Sequence, residues 1–219
     1  MAEVATLLHR VEALEKKRFA CPHEDVIVDE QMRRARLAVE HQALYSTNWK
    51  WVAKDYYTWT LSQRAKTLEA PSTDYLCKSL LMENRKAPET GDDPTNPRFV
   101  LVVLQYEATL DTKKLINAIR ALRPVADRLD DTHFDIRIAS EEDNARITGY
   151  DNNAVVPFGM KESSVPIILS KPIVPLRYFW MGGGHIHLKL RMTVADFSKA
   201  LSPIVADISQ PRTSSDPEP

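Results

Sequence analysis

Three short stretches of this chain gather residue types that could do chemistry. In Tyr75-Leu76-Cys77-Lys78-Ser79-Leu80-Leu81-Met82, a strand would put Lys78 on the face it shares with Leu76, Leu80 and Met82, because side chains alternate with period two. An ammonium aimed at an apolar face is costly unless it meets an anion, a ligand or a pocket mouth. The other way out is a lysine near a strand end that snorkels its charge back to water. Cys77 points the opposite way and reads as a small core residue rather than a nucleophile.

The second stretch, Met181-Gly182-Gly183-Gly184-His185-Ile186-His187-Leu188-Lys189-Leu190-Arg191-Met192, alternates strictly as a strand. His185, His187, Lys189 and Arg191 fall on one face, and Ile186, Leu188, Leu190 and Met192 on the other. Two histidines two residues apart could ligate a metal, but no third ligand is evident nearby, so a solvated or substrate-facing polar face is expected and no metal. Gly182, Gly183 and Gly184 are half of the chain's 6 glycines. They either let backbone N–H groups approach a ligand oxygen or make a wide turn or bulge ahead of the strand. The third stretch runs from Gly149 to Met160, where Asp151, Asn152, Asn153 and the bend Pro157-Phe158-Gly159 make a shaped loop. No Ser/His/Asp order, phosphate-cradling glycine loop or carboxylate pair stands out, so the common hydrolase, kinase and glycosidase signatures find no support.

The elements that would position these stretches alternate in type. Strands are expected at Asn48–Ala53, Tyr75–Met82, Phe99–Tyr106, Phe134–Ile138, Val165–Leu169 and Ile186–Met192. Phe99–Tyr106 is apolar enough to be a central strand covered on both faces. Thr60-Leu61-Ser62-Gln63 is a capping box opening a helix to Leu68, and Ser140 starts a short one. Thr112 to Leu122 is helical, and Thr193 caps a last helix reaching about Ala206. Ala87 to Asn96 is a loop. Interleaved strands and helices give an α/β class with a mixed sheet.

Ahead of this block, residues 1–19 carry Val4, Leu7, Val11 and Leu14 at heptad spacing. That stripe either packs on its own domain or meets a partner or a second copy, because helices this short are marginal alone. Val28 to Leu44 reads as a helical connector with a weaker apolar stripe. The expected division is 1–45 as a helical extension serving association and not needed for chemistry, 46–208 as the functional domain, and 209–219 as a disordered tail.

Composition narrows the class. Apolar residues make 43% and charged residues 27% of 219, a globular composition. The longest apolar run, Phe99 to Leu104, is far short of the ~20 residues that span a bilayer. With Glu3, His9 and Arg10 near the start there is no apolar leader, so a cytoplasmic protein without a membrane partner is expected. Cys21 and Cys77 are the 2 cysteines and form neither a disulfide framework nor a zinc motif. Lys and Arg total 29 against 30 for Asp and Glu, so a nucleic acid would have to be held locally or with a partner's help rather than by a general basic field.

Taken in order, Asp74-Tyr75-Leu76-Cys77-Lys78-Ser79, the Asn153–Met160 turn followed by Val165-Pro166-Ile167-Ile168-Leu169, and Phe179-Trp180-Met181-Gly182-Gly183-Gly184-His185-Ile186-His187-Leu188-Lys189-Leu190 resemble the YbaK / prolyl-tRNA-synthetase-associated editing superfamily, over roughly residues 48–208. The resemblance implies a mixed, strongly curved sheet flanked by helices. It implies hydrolysis of mischarged aminoacyl-tRNA in trans, without a cofactor, with a small amino acid such as alanine, serine or cysteine as the group removed. It assigns the strand lysine to Lys78 and the substrate-binding turn to Asn153, Ala154, Pro157 and Gly159. The glycine-rich segment falls on Gly182, Gly183, Gly184, His185 and His187. Asn153 stands where the family's turn usually has glycine, and His187 where relatives commonly show an acidic residue. Aminoacyl-tRNA is the implied partner, with a synthetase or multi-synthetase assembly docking through residues 1–45, or self-association there. The other reading is a non-catalytic tRNA- or synthetase-binding subunit.

Overall fold

The computed structural model describes residues 2–23, 25–88 and 93–213. Helix α1 spans Ala2–Phe19 and α2 Glu30–His41, followed by β1 (Asn48–Trp51) and α3 (Leu61–Thr67). Next come β2 (Cys77–Asn84), β3 (Phe99–Gln105), β4 (Ala108–Leu110) and α4 (Thr112–Arg120). Then β5 (Ile136–Ile138), α5 (Glu141–Ile147), β6 (Ile167–Ser170), β7 (Tyr178–His185) and β8 (Leu188–Thr193) are followed by α6 (Val194–Leu201), β9 (Ile204–Ala206) and β10 (Ser209–Pro211). The helix starts read from the sequence are present: Thr60 and Gln63 cap α3 reciprocally, the Ser140 hydroxyl accepts from the Asp143 N–H, and Thr193 caps α6.

A mixed five-stranded sheet is ordered β5-β2-β3-β6-β9, β2 pairing antiparallel with both neighbours and β6 parallel with β3 and β9. Every residue of β3 is buried, because both faces are covered. On one face Leu101 and Val103 meet Phe179, Met181, Leu190, Met192 and Phe197. On the other, Val100, Val102 and Leu104 meet Leu115 and Ile119 of α4. A second sheet, β1-β8-β7, is antiparallel and touches the first through a bridge between Leu76 and Trp180.

Four expectations are corrected. The glycines do not precede a strand: they lie in β7, so His185 ends one strand, Ile186-His187 is the turn and Leu188 begins the next. The last helix stops at Leu201 because Ser202 is left-handed (φ 44) and Pro203 cannot continue it, which leaves Ile204–Ala206 as a strand. Ser209–Pro211 pairs with β4 instead of belonging to a disordered tail, and residues 214–219 lie outside the described ones. Nor is α2 a connector: Met32, Ala35 and Val39 are fully buried, and the last two join the core formed with β7. Its stripe looked weak because alanine and methionine carry part of it. Leu44 belongs to that core as well, while Phe19, Val26 and Val28 pack with Met32 and Leu188. By contrast Val4, Leu7, Leu8, Val11 and Leu14 of α1 are each at least half exposed.

Candidate active site

Pairing along β2 decides where a site can open. On one side β3 runs beside it from Cys77 to Glu83, but on the other β5 reaches only Met82 to Asn84. The Ala139 N–H donates to the Leu81 carbonyl, so the backbone groups of Ser79, two residues earlier, project from the same edge where β5 has already ended. A cavity of about 310 Å³ opens there, walled by Cys77, Lys78, Ser79, Tyr57, Tyr106, Asn152, Asn153, Val155 and Gly182 among others.

Lys78 is half-buried at this cavity. Its Nζ lies 5.5 Å from the centre of the Tyr106 ring, and it makes no hydrogen bond or ion pair among the described residues. Burial, and secondarily Arg212, lowers its pKa to about 8. The Ser79 hydroxyl is buried without a hydrogen-bond partner, which is unusual unless a ligand or water completes it. Cys77 also lines the cavity but is a buried member of the core, and burial pushes its thiol pKa far up, so the thiolate needed for nucleophilic attack is not supplied. Around the cavity lie one cation, one free hydroxyl and a free strand edge, Lys78 and Ser79 leaving β2 on opposite faces, and each is a donor for an anionic or carbonyl oxygen. No side chain here is poised as a nucleophile.

The far wall is the loop from Gly149 to Met160, and α2 fixes it. The Arg34 guanidinium donates to the Gly159 carbonyl at 2.6 Å and to the Gly149 carbonyl, while lying over the Tyr150 ring. The buried Tyr150 hydroxyl donates to the Phe158 carbonyl at 2.6 Å. At the tip, Asn153 is left-handed (φ 62), a conformation asparagine tolerates better than most residues, and this explains its presence at a position where glycine would serve. The Tyr57 hydroxyl donates to the Asn153 carbonyl at 3.0 Å. Gly184 N–H donates to the Ala154 carbonyl at 3.1 Å, so it is committed to the loop and not aimed at a ligand.

The glycines of β7 therefore serve close approach. A Cβ on Gly182 would lie 2.5 Å from the Val155 carbonyl oxygen, and Gly184, with φ +85, sits against Ala35 and Gln31 of α2. Of the residues singled out from the sequence, Lys78, Asn153 and Gly182 share the cavity. Ala154, Gly184 and His185 line a separate one of about 260 Å³. Pro157 and Gly159 line another of about 470 Å³ behind the loop, and Gly183 is pressed against Leu188. His187 lines none of these three: its ring packs 5.6 Å from that of His23 and 5.5 Å from that of His185. Burial first, then neighbouring cationic groups, lowers the pKa of His187. Among the described residues no three His, Cys, Asp or Glu side chains form a metal-holding group.

Residues not anticipated complete the arrangement. Tyr57 and Tyr106 wall the cavity, and Lys189, expected on a polar face, is only 5% exposed. Its Nζ donates to the Tyr57 hydroxyl at 2.7 Å and the Ile186 carbonyl at 2.9 Å and lies 4.5 Å from the Tyr57 ring centre. The signal in the sequence was the aromatic run Tyr56-Tyr57-Thr58-Trp59, a platform for buried cations; alternation alone could not show that the hairpin folds Lys189 under it. No helix among the described residues is long and apolar enough to cross a membrane.

Comparison with curated proteins found no match. Among solved structures, a proposed trans-editing enzyme for prolyl-tRNA synthetase superposes with a TM-score of 0.65 at 18% identity, over 84% of this chain and 99% of that one. A scaffold protein used for computational grafting of epitope backbones gives 0.64 at 17% identity, over 84% and 100%. A hypothetical protein gives 0.59 at 18%, over 81% and 99%. At these identities the likenesses establish the fold, a mixed α/β editing-domain fold. The aminoacyl-tRNA editing domain model matches residues 58–200, which contain Lys78, the Asn153 turn and the β7–β8 hairpin, and the chain belongs to that YbaK-like family.

Proposed function

We propose that the protein is an aminoacyl-tRNA deacylase that acts in trans on mischarged tRNA carrying a small amino acid such as alanine, serine or cysteine. The observation that carries this reading is the cavity itself, with Lys78 and the Ser79 hydroxyl left unpartnered beside a free strand edge and no activated nucleophile. An aminoacyl ester is already reactive, so positioning and oxyanion stabilisation supply most of what is needed. A water adds to the carbonyl carbon. The C–O bond to the terminal ribose breaks, the ribose oxygen takes one proton of that water, the other passes to solvent, and the free amino acid leaves as its carboxylate. In this scheme Lys78 holds a substrate phosphate or the carbonyl oxygen and is not the base. Ser79 donates to the developing oxyanion, and Asn153 with Gly182 bounds the amino-acid side chain. His185 and His187 lie outside this immediate contact. Discrimination by size is modest, since one methylene is worth about 1–3 kcal/mol.

Purified protein incubated with a panel of mischarged tRNAs tests this directly: release of a small amino acid faster than in buffer supports it, and no acceleration with any member overturns it. The exposed α1 stripe favours a companion reading, in which α1 docks on a synthetase assembly or a second copy in the cytoplasm and raises local substrate concentration. Removal of residues 1–18 is then expected to abolish co-purification or self-association while leaving turnover of free mischarged tRNA unchanged.

A further inference from the structure

A buried lysine without an anion needs a reason. Lys189 has the Tyr57 hydroxyl, the Ile186 carbonyl and the rings of Tyr56 and Tyr57 as partners. An ammonium can only donate, so the Tyr57 oxygen accepts from Lys189, and the Tyr57 proton goes to the Asn153 carbonyl at 3.0 Å, with the Tyr106 hydroxyl beside it as the competing partner. The chain of bonds thus runs from the floor of the β7–β8 hairpin to the left-handed tip of the loop that walls the cavity. A neutral amine has a lone pair, and a phenol is the better proton donor of the two. On losing its proton, Lys189 can accept from Tyr57, and the hydroxyl then turns away from Asn153.

We propose that Lys189 is a positioning residue of this site: through Tyr57 its charged form holds the Asn153 turn against the cavity, and its deprotonation releases that turn. Burial brings the Lys189 pKa down to about 7, so the exchange falls in the physiological range. The charged and titratable groups facing it are Arg64 of α3, His185 and His187 on the hairpin, the phenols of Tyr56 and Tyr57, and that of Tyr106 beyond β3, which burial also raises. The Tyr56 and Tyr57 phenols are raised by burial and stay protonated. The histidines change charge at lower pH, since burial depresses them.

As it concerns turnover, the inference rests on the deacylase reading; as it concerns the turn, it does not. The experiment is the pH titration of the backbone amide signals of Asn153 and Ala154 in labelled full-length protein without substrate. The wild type is expected to show a transition near pH 7. Lys189→Met and Tyr57→Phe should lack it, while Lys78→Ala and His185→Asn/His187→Asn should keep it. A transition that survives in Lys189→Met, or that disappears with the histidines, overturns the proposal. Methionine has the length and flexibility to fill the site, so loss through misfolding is separated by checking that the remaining amide signals stay in place. For turnover, each single variant should lower kcat/KM about tenfold and the double variant no further, as residues acting through one bond are non-additive. Additive losses overturn the relay, whereas a wild type without deacylase activity leaves the titration to decide the positional claim alone.

Discussion

Lys78 is half-buried beside the Tyr106 ring and Lys189 almost fully buried beside the Tyr57 ring, and their surroundings differ in kind. Lys189 lies in a closed hairpin with its donors engaged by a phenol and a carbonyl. Lys78 lies at the open edge of β2, where β5 has stopped, with a ring below it and no polar partner. A buried cation satisfied from within contributes to shape, whereas a buried cation left open is paid for only when something anionic arrives. On the proposed reading Lys189 is a positioning residue and Lys78 a binding one.

The largest expected effect removes the support of both sites. A chain beginning near Tyr45 lacks α2, and with it Arg34, which holds the Gly149–Met160 loop at both ends, and the buried Met32, Ala35 and Val39. Met32 and Val39 alone are worth about 1.5–3 kcal/mol each against a typical total of about 5–15 kcal/mol. The truncated chain is therefore expected to be unfolded or molten by circular dichroism and amide signal dispersion. A cooperative unfolding transition matching that of the full chain would show that residues 1–45 are dispensable, as the heptad pattern alone suggested.

Next in size is Lys78→Ala. It should cut deacylation by at least about 100-fold, in line with loss of a charged contact to the reacting ester, and leave thermal stability equal or higher because a desolvated charge is removed. Lys78→Arg should recover little, since the guanidinium differs in shape and reach. A comparison of kcat and KM for the alanine variant sharpens the contrast with Lys189. Loss mainly in KM places Lys78 on a phosphate, and loss in kcat places it on the carbonyl. Turnover close to wild type would remove Lys78 from the site.

Much of the fold is legible in the sequence alone, and the misreadings share a cause. N-caps and the apolar run Phe99–Leu104 are local signals, and they place the starts of α3, α5 and α6 and the central strand within a few residues, whereas the end of α6 is missed. Lys78 was legible because an ammonium on an apolar face is anomalous in any context. The hairpin was misjudged because a strict polar/apolar alternation from His185 to Met192 fits one straight strand as well as a turn followed by a strand. Only the register of β7 on β8, with its irregularity between Gly182 and His185, tells them apart. Tyr57 joins the candidate site through contacts about a hundred positions away along the chain, which no spacing encodes.

The smallest effect concerns the histidines on the outer side of that hairpin. His185 and His187 have pKa values lowered chiefly by burial, with further contributions from each other's neighbourhood, His23 and Lys189. A group whose folded pKa lies below its unfolded value binds fewer protons in the folded state between the two. Stability from these groups therefore rises with pH across that window and is lost as pH falls below the ordinary histidine value of about 6.5. Protonation would place like charges on the His185 and His187 rings, 5.5 Å apart, and the His23 ring packs 5.6 Å from that of His187. The melting temperature should thus fall between pH 7 and pH 5. His187→Asn should flatten that fall by a few degrees, because it removes the ring shared by both contacts, while leaving the pH dependence of deacylation above pH 7 unchanged. If instead the variant alters activity around neutral pH and not the acid side of the melting profile, His187 acts on substrate. The hairpin would then belong with Lys78 among the residues that face a ligand.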